Sequence, residues 1–566
     1  MTTSPATARP WTSHYETGVP ASLTYPDAPL HHFLEASAAK HPDRVATRFF
    51  KGAITYRQLN ELADRFAAGL QSLGVKKGDR VAVFLPNTPQ FIIAFYGTLK
   101  AGATVVPTNP LYTADELGRQ VKDSGATVVV ALSRFWPVVN AARRTMGAKN
   151  IIVTNIKDYF PPVTKLLFTL AKEKKDGHRA ELPNEPGIHA WPAFMAAAPA
   201  KPAAVESKPA DLAVLQYTGG TTGVPKGAML SHGNLVANAL QVQAWSRAKD
   251  AEEIMLGAIP FFHVYGLTVG MNMSVASAAT MVLLPRFDLV DVLKTITHDR
   301  PTLFPGVPTM YVAINNYKDI AKYDLRSVKA CISGAAPLPL EVSRAFESLS
   351  GGKLVEGYGL SEASPVVSSN PLNGERREGI GLPFPDTEVR LVDLDTGEHD
   401  VEIGKPGELI VRGPQVMQGY WQRPDETAKV IRNGWLFTGD IAVMDPDGYF
   451  AIVDRKKDMI IASGFNIYPR EVEEVVYAHP KVKEAVVVGI PDKYRGETVK
   501  LYVVVKEGET LTAEELSAFC KEKLTNYKRP TQIEFRQSLP KTMIGKMLRR
   551  VLLEEELAKA KEGAPK

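Results

Sequence analysis

Cysteine is nearly missing from this chain: 566 residues hold two, Cys331 and Cys520. Two cannot build a disulfide framework, so nothing in the count points to secretion. An apolar leader is missing too, because the opening MTTSPATARPWTSHYETGVP has no hydrophobic segment of signal-peptide type. Charge of one sign is scarce. Lys and Arg number 67, Asp and Glu 62, for a net charge of +5. That excess is too mild for a nucleic-acid binder, so no nucleic-acid partner is expected. A repeat of fixed period is also lacking, which argues against a solenoid. What is there is an ordinary globular mixture, 45% hydrophobic and 23% charged. It excludes a disordered chain, a collagen-like fibre and a coiled-coil rod. The length predicts several structural units.

One run lacks charge altogether. Ile254 to Pro285 contains no Asp, Glu, Lys or Arg and is long enough to cross a bilayer. It also holds Pro260, His263, Asn272 and several hydroxyl residues, which are costly in lipid. It interrupts a soluble layer pattern as well, so a buried segment is the better reading.

The pattern around it alternates helix and strand. The first 29 residues, rich in Pro, Ser and Thr, read as an arm or disordered leader. From Leu30 onward, Thr55 with Gln58 and Thr113 with Glu116 form capping boxes. Apolar runs at 81–85, 103–106 and 127–131 read as strands, with a helix from about Gln90 to Lys100 between the first two. This rhythm predicts an α/β fold with a mainly parallel sheet, whose site sits at the C-terminal strand ends.

Residues 157–180 break the rhythm, mixing Phe160, Leu166, Leu167, Phe168 and Leu170 with Lys165, Lys172, Lys174 and Lys175. A basic amphipathic helix of this kind could rest on an anionic membrane surface. The plainer reading is a helix packed on its own domain. Residues 181–210, rich in Pro and Ala, read as a linker. Beyond Asp454-Arg455-Lys456-Lys457-Asp458 the chain reads as a compact α+β unit. There Pro469 opens a helix with Glu471, Glu473 and Glu474 set to favour its N-terminal dipole. The end, AKAKEGAPK, reads as a frayed tail.

The densest chemical signal is Tyr217-Thr218-Gly219-Gly220-Thr221-Thr222-Gly223-Val224-Pro225-Lys226-Gly227, after the apolar strand Leu212 to Leu215. Its glycines let backbone N–H groups approach an anion. Its threonine hydroxyls and Lys226 add donors for phosphate oxygens. It is not a Walker A loop, because Pro225 precedes the lysine and Gly227 follows it.

This loop resembles the phosphate loop of the adenylate-forming superfamily: acyl-CoA synthetases, luciferases and the adenylation domains of peptide synthetases. The resemblance runs from about Leu30 to Leu557. It implies a large multi-layer N-terminal AMP-binding domain (30–454), a hinge (455–458), a small mobile C-terminal domain (459–557) and a flexible tail (558–566). Ser333-Gly334-Ala335-Ala336-Pro337 resembles the segment bordering adenine. In Glu356-Gly357-Tyr358-Gly359-Leu360-Ser361-Glu362, the Tyr358 ring offers a stacking face. Ser361 can bond a phosphate oxygen, and Glu362 can give one carboxylate to Mg2+. Asp440 and Arg455 match residues that bind ribose, and Lys457 the position about which the small domain swings. Ser463, Gly464 and Phe465 lie in a loop that lines the pantetheine passage. Lys546, in Pro540-Lys541-Thr542-Met543-Ile544-Gly545-Lys546, matches the lysine that bridges the attacking carboxylate and the α-phosphate.

The resemblance also gives the uncharged run a use. Pro260-Phe261-Phe262-His263-Val264-Tyr265-Gly266 matches the segment beside the carboxylate substrate, with His263 near carboxylate and phosphates. Residues 267–284, rich in small side chains (Gly270, Ser274, Ala276, Ser277, Ala278, Ala279), would wall an acyl pocket that suits a hydrocarbon. PFFHVYGLTVGMNMS and Pro107-Thr108-Asn109-Pro110-Leu111-Tyr112 look particularly like bacterial long-chain fatty-acid–CoA ligases. The implied partners are a long-chain fatty acid, ATP and CoA. The implied location is cytoplasmic, or peripheral at the inner face of the membrane; oligomeric state is left open. Alternatives are an acyl-AMP ligase that loads a carrier protein, an aryl (coumarate-type) CoA ligase, and a fatty-acid or nucleotide binder without chemistry.

Overall fold

The computed structural model describes residues 9–218, 225–462, 465–492, 494–541 and 547–562, with side chains as far as residue 559. Strand Arg80–Phe84 lies at the centre of a sheet flanked by Thr104–Pro107 and Val128–Leu132, all parallel. Val81, Ala82, Val83 and Phe84 are fully buried, as expected of a parallel strand covered on both faces. The helix Pro89–Lys100 behind it is buried along its whole length. Its one cation, Lys100, is matched by Asp64 and Glu35 and donates to Asn60. Leu212–Thr218 extends the parallel set, and Lys226–Ser231 returns antiparallel beside it.

A second sheet runs through Ile254–Gly257, Thr280–Leu283 and Val45–Phe49. Parallel bridges through Leu303 connect it to Ala330–Ser333 and then Lys353–Gly359. An antiparallel sheet built on Gly407–Arg412 and Trp435–Met444 precedes the C-terminal unit. That unit has its own core around the long hairpin Val482–Asp492 and Gly496–Val505, covered by Pro469–Tyr477 and Ala513–Lys523. The α/β expectation and both capping boxes match the structure.

Among the described residues, the uncharged run included, no helix is long and apolar enough to cross a membrane. The run folds as strand Ile254–Gly257, a π-helical stretch Gly266–Asn272, a turn of helix Met273–Ala276 and strand Thr280–Leu283. Several of its polar side chains bond inside the protein, although Asn272 Nδ2 is buried without a partner. Thr268 donates to the Ser364 carbonyl, Tyr96 donates to Asn272 Oδ1, and Ser274 and Ser277 bond carbonyls four residues back.

Four expectations need correction. The leader is not loose from Arg9 onward: Pro10–His14 form a 3-10 turn, Trp11 is buried against Phe450, and Tyr15 donates to Pro383. The 181–210 stretch is not only a linker. Its Ile188–Ala190 forms an edge strand beside Asn150–Thr154, and Trp191–Ala197 a helix whose Trp191 and Phe194 pack on Phe66. The terminal helix Arg549–Glu562 runs into the expected tail. Of the three glutamates set to the N-terminal dipole, only Glu471 lies in the first turn; Glu473 instead accepts from Val487 N at 2.7 Å and Arg549 at 2.6 Å.

Candidate nucleotide and acyl site

Thr218 and Lys226 face each other at the loop end of their hairpin. The connecting residues lie outside the described set, so Gly219, Gly220, Thr221, Thr222 and Gly223 do too. The hairpin base is tightly held. Asp123 accepts from the Tyr217 hydroxyl at 2.6 Å and from Arg423 at 2.7 Å, and its carbonyl accepts from the Trp421 indole. Lys226 is paired with Glu426, and its ammonium stands 5.2 Å from the centre of the Tyr420 ring. Lys226 and then Lys429 hold the Glu426 carboxyl down to about 2.

The two segments expected to border adenine meet because their strands pair in parallel, with Ser333 opposite Glu356. Chain direction therefore puts Gly334, Ala335 and Ala336 beside Gly357, Tyr358 and Gly359 at the C-terminal strand ends. A Cβ on Gly334 would lie 3.3 Å from the Tyr265 ring, whose hydroxyl donates to Ile332 O at 2.6 Å. Ala335 has φ +69°. Glu356 accepts from Leu338 N at 3.1 Å, and burial pushes its carboxyl above the usual range. Gly359 has no room for a side chain, since a Cβ would sit 2.2 Å from Pro365 O. Ser361 then opens the short turn that carries Glu362.

Tyr358, Asp440 and Arg455 form one cluster. The Tyr358 hydroxyl donates to Asp440 Oδ2 at 2.5 Å, and Arg455 Nε lies 3.2 Å from Oδ1. Asp440 and Arg455 are also cross-strand partners. Just beyond, Lys456 pairs with Glu408 at 2.9 Å. Lys457 reaches solvent, yet partial burial of its ammonium, then Arg455 beside it, lower its pKa to about 8.

His263 is half-buried against the Phe262 ring, and burial lowers its pKa to about 4, so it is neutral at pH 7. Gln216, on the strand that leads into the Thr218–Lys226 hairpin, donates to Phe262 O at 3.1 Å. The His263 loop and that hairpin are therefore tied together. Residues 267–283 belong largely to the principal core: Leu267, Val269, Met271, Met273 and Val275 are all buried in it.

In the C-terminal unit, Phe465 is exposed and stacks on Tyr527 at 4.6 Å; Ser463 and Gly464 lie outside the described residues. Lys546 also lies outside them, but its flanks are described: Lys541 and Met547 form an antiparallel bridge. Arg549, which follows, reaches Glu473 at 2.6 Å and Asp458, in the segment expected to be the hinge, at 3.6 Å.

Residues 34–421 match the AMP-binding enzyme model and residues 471–546 the AMP-binding enzyme C-terminal domain. The chain belongs to the AMP-binding enzyme family. A long-chain-fatty-acid–CoA ligase of Bacillus subtilis (strain 168) is 47% identical over 97% of this chain and 98% of its own. One of Escherichia coli O157:H7 is 42% identical with the same coverage. The crystal structure of ATP-bound MatB from Rhodopseudomonas palustris superposes with a TM-score of 0.82 at 29% identity, covering 94% of this chain and 99% of that one.

Motif reading missed several residues of this AMP-binding enzyme that the fold brings to the site. Tyr420 joins Glu362 to Lys226, donating to Glu362 Oε1 at 2.7 Å. Asp123 anchors the hairpin base. Asn87, fully buried, donates to Gly257 O and Ile259 O and accepts from Phe261 N, which shapes the turn ahead of His263. A polar residue just after an apolar strand, as in Leu85-Pro86-Asn87, was the only local hint of the last.

Proposed function

We propose that this AMP-binding enzyme is a long-chain fatty-acid–CoA ligase. It activates a fatty acid with ATP to acyl-AMP and pyrophosphate, then forms the thioester with CoA and releases AMP. The near end-to-end match to the Bacillus subtilis ligase carries the reading. The cluster of Tyr358, Asp440 and Arg455 supports the nucleotide half of it, and the buried uncharged segment behind His263 the acyl half.

In the first step a carboxylate oxygen attacks the α-phosphorus and pyrophosphate leaves. Two anions must approach, so catalysis rests on positioning and charge neutralisation. Lys546 is assigned to the attacking carboxylate and α-phosphate, with Lys226 and the loop hydroxyls on the phosphates. Asp440 and Arg455 take the ribose hydroxyls and Tyr358 the adenine. A neutral His263 can donate a hydrogen bond to the carboxylate without adding charge. In the second step rotation about Lys457 withdraws Lys546, the Gly464 loop enters, and the CoA sulfur attacks the acyl carbonyl.

The donor set also fits a magnesium ion of the kind that leans on phosphates and water. Among the described residues no three His, Cys, Asp or Glu side chains cluster as a complete metal cage, while Glu362 offers one carboxylate oxygen beyond the one bonded to Tyr420. Held there with the ATP phosphates, Mg2+ would neutralise the charge of the departing pyrophosphate.

A second reading, peripheral membrane contact, is favoured by the helix Pro162–Ala171. It has no buried residue, and Val163, Leu166, Leu167 and Leu170 are 60–77% exposed. Lys165, Lys172, Lys174 and Lys175 are exposed around them. A groove of about 620 Å³ beside it, lined by Lys51, Ile54, Leu62, Arg65, Phe160 and Pro161, shares no residue with the nucleotide site.

Pyrophosphate release and thioester formation, measured with acids of graded length with and without CoA, test the main reading. CoA-dependent turnover that peaks at long chains is expected. Adenylate made without CoA transfer points to an acyl-AMP ligase, a preference for aromatic acids to the coumarate type, and no pyrophosphate to a binder.

A further inference from the structure

The segment 417–421 is hydrogen-bonded to two pieces of the site at once. Gly419 O accepts from Met229 N, Gln418 N donates to Met229 O, and Trp421 N donates to Gly227 O, which makes it a partner of the strand that begins at Lys226. Met417 N donates to the carbonyl of Glu362 itself. Gly419 has φ +141°, and a Cβ there would lie 2.7 Å from Thr427 Cγ2, so the chain turns tightly at this point. The turn delivers Tyr420, whose backbone N donates to Thr427 Oγ1 at 2.8 Å and whose side chain is buried.

That side chain has two faces and both are in use. Its hydroxyl donates to Glu362 Oε1 at 2.7 Å. Its ring lies under the Lys226 ammonium at 5.2 Å. Phenylalanine would fill the same space, so packing does not account for the hydroxyl.

We propose that Tyr420 is a positioning residue of the nucleotide site, fixing one oxygen of Glu362 so that the other is presented to the cation, while its ring seats Lys226 for the same phosphates. This rests on the assignment of Glu362 to Mg2+ and of Lys226 to phosphate given above. The two functions separate chemically: the hydroxyl acts on the metal-dependent part of ATP binding, the ring on the part that needs no metal.

Calorimetric titration of the full chain with ATP, in excess Mg2+ and in EDTA, tests this without turnover. Y420F should weaken binding in Mg2+ about tenfold, the scale of one hydrogen bond to a charged group, and leave binding in EDTA unchanged. Y420L should weaken both. Melting temperatures of Y420F and wild type should agree closely, and half-saturating Mg2+ for pyrophosphate release should rise in Y420F. Equal loss in Mg2+ and EDTA, or no loss in either, overturns the proposal. E362Q is the control for the underlying reading. If E362Q leaves the Mg2+ dependence of binding intact, the assignment of Glu362 fails, and the proposal with it. If E362Q abolishes that dependence and Y420F does not alter it, the role of Tyr420 alone fails.

Discussion

Tyr358 donates its hydroxyl proton to Asp440 at 2.5 Å across 82 residues of sequence. Asp440 is buried and its other oxygen faces Arg455, so the carboxylate is oriented and short of water. Such a group can accept from two vicinal hydroxyls with little reorganisation. D440N keeps the shape and removes the charge, leaving Arg455 without its partner. Breaking a buried pair costs about 3–5 kcal/mol. Arg455 is one-third exposed, which places this pair at the lower end of that scale. The expected result is a lower melting temperature and ATP affinity reduced by at least about tenfold, read by calorimetry. Unchanged affinity would remove Asp440 from the ribose assignment.

What was legible in the chain follows from interaction range. The Thr55–Gln58 and Thr113–Glu116 boxes are contacts over three residues and can be read locally. The Glu356–Glu362 and Tyr217–Gly227 motifs are short runs in which close backbone approach demands glycine, as at Gly359. Tyr420 was not legible, because its partners Glu362 and Lys226 lie far away in sequence and Gly-Tyr-Trp alone names no chemistry. The strand Ile188–Ala190 was hidden for another reason. Three residues between prolines and alanines carry no periodicity, and only the waiting edge of Asn150–Thr154 makes them a strand.

The role proposed for Lys546 predicts that one substitution separates the two half-reactions. Its assigned charge is needed where carboxylate meets α-phosphate and not where a thiol meets an acyl carbonyl. K546A should nearly abolish pyrophosphate release and largely spare thioester formation from supplied acyl-adenylate, measured as CoA consumption. Equal loss of both would sink the assignment.

His232 predicts acid sensitivity. It is buried, its Nδ1 accepts from Leu30 N at 3.1 Å, and burial, then nearby His31, lowers its pKa to about 3. The unfolded chain binds a proton near pH 6.5 and the folded chain does not, so stability is full above about 6.5 and falls as pH drops toward 3. The slope from this residue is at most about 1.4 kcal/mol per pH unit. H232Q cannot titrate. Urea midpoints of wild type and H232Q should therefore draw closer as the pH is lowered from 7 to 5. A gap that stays constant would show that His232 does not carry the effect.

The helix Pro162–Ala171 tests membrane contact through two independent kinds of surface. Its flanks are pinned, with Lys157 paired to Glu173 at 2.6 Å and Asn155 donating to the same carboxylate. Within the helix Phe168 turns inward, against Phe160. The exposed leucines thus sit on a held ridge, and replacing them leaves the core intact. Near an anionic surface each lysine is worth about 1 kcal/mol. Changing Lys165, Lys172, Lys174 and Lys175 together to Glu should abolish sedimentation with phosphatidylglycerol vesicles. Changing Leu166 and Leu170 to Ser should weaken it at high salt, where charge is screened and apolar insertion is what remains. Both variants should keep wild-type turnover on acid dispersed in detergent, because neither surface touches the nucleotide residues. Vesicle binding that survives both sets of changes would leave the ridge as an exposed face without a lipid role.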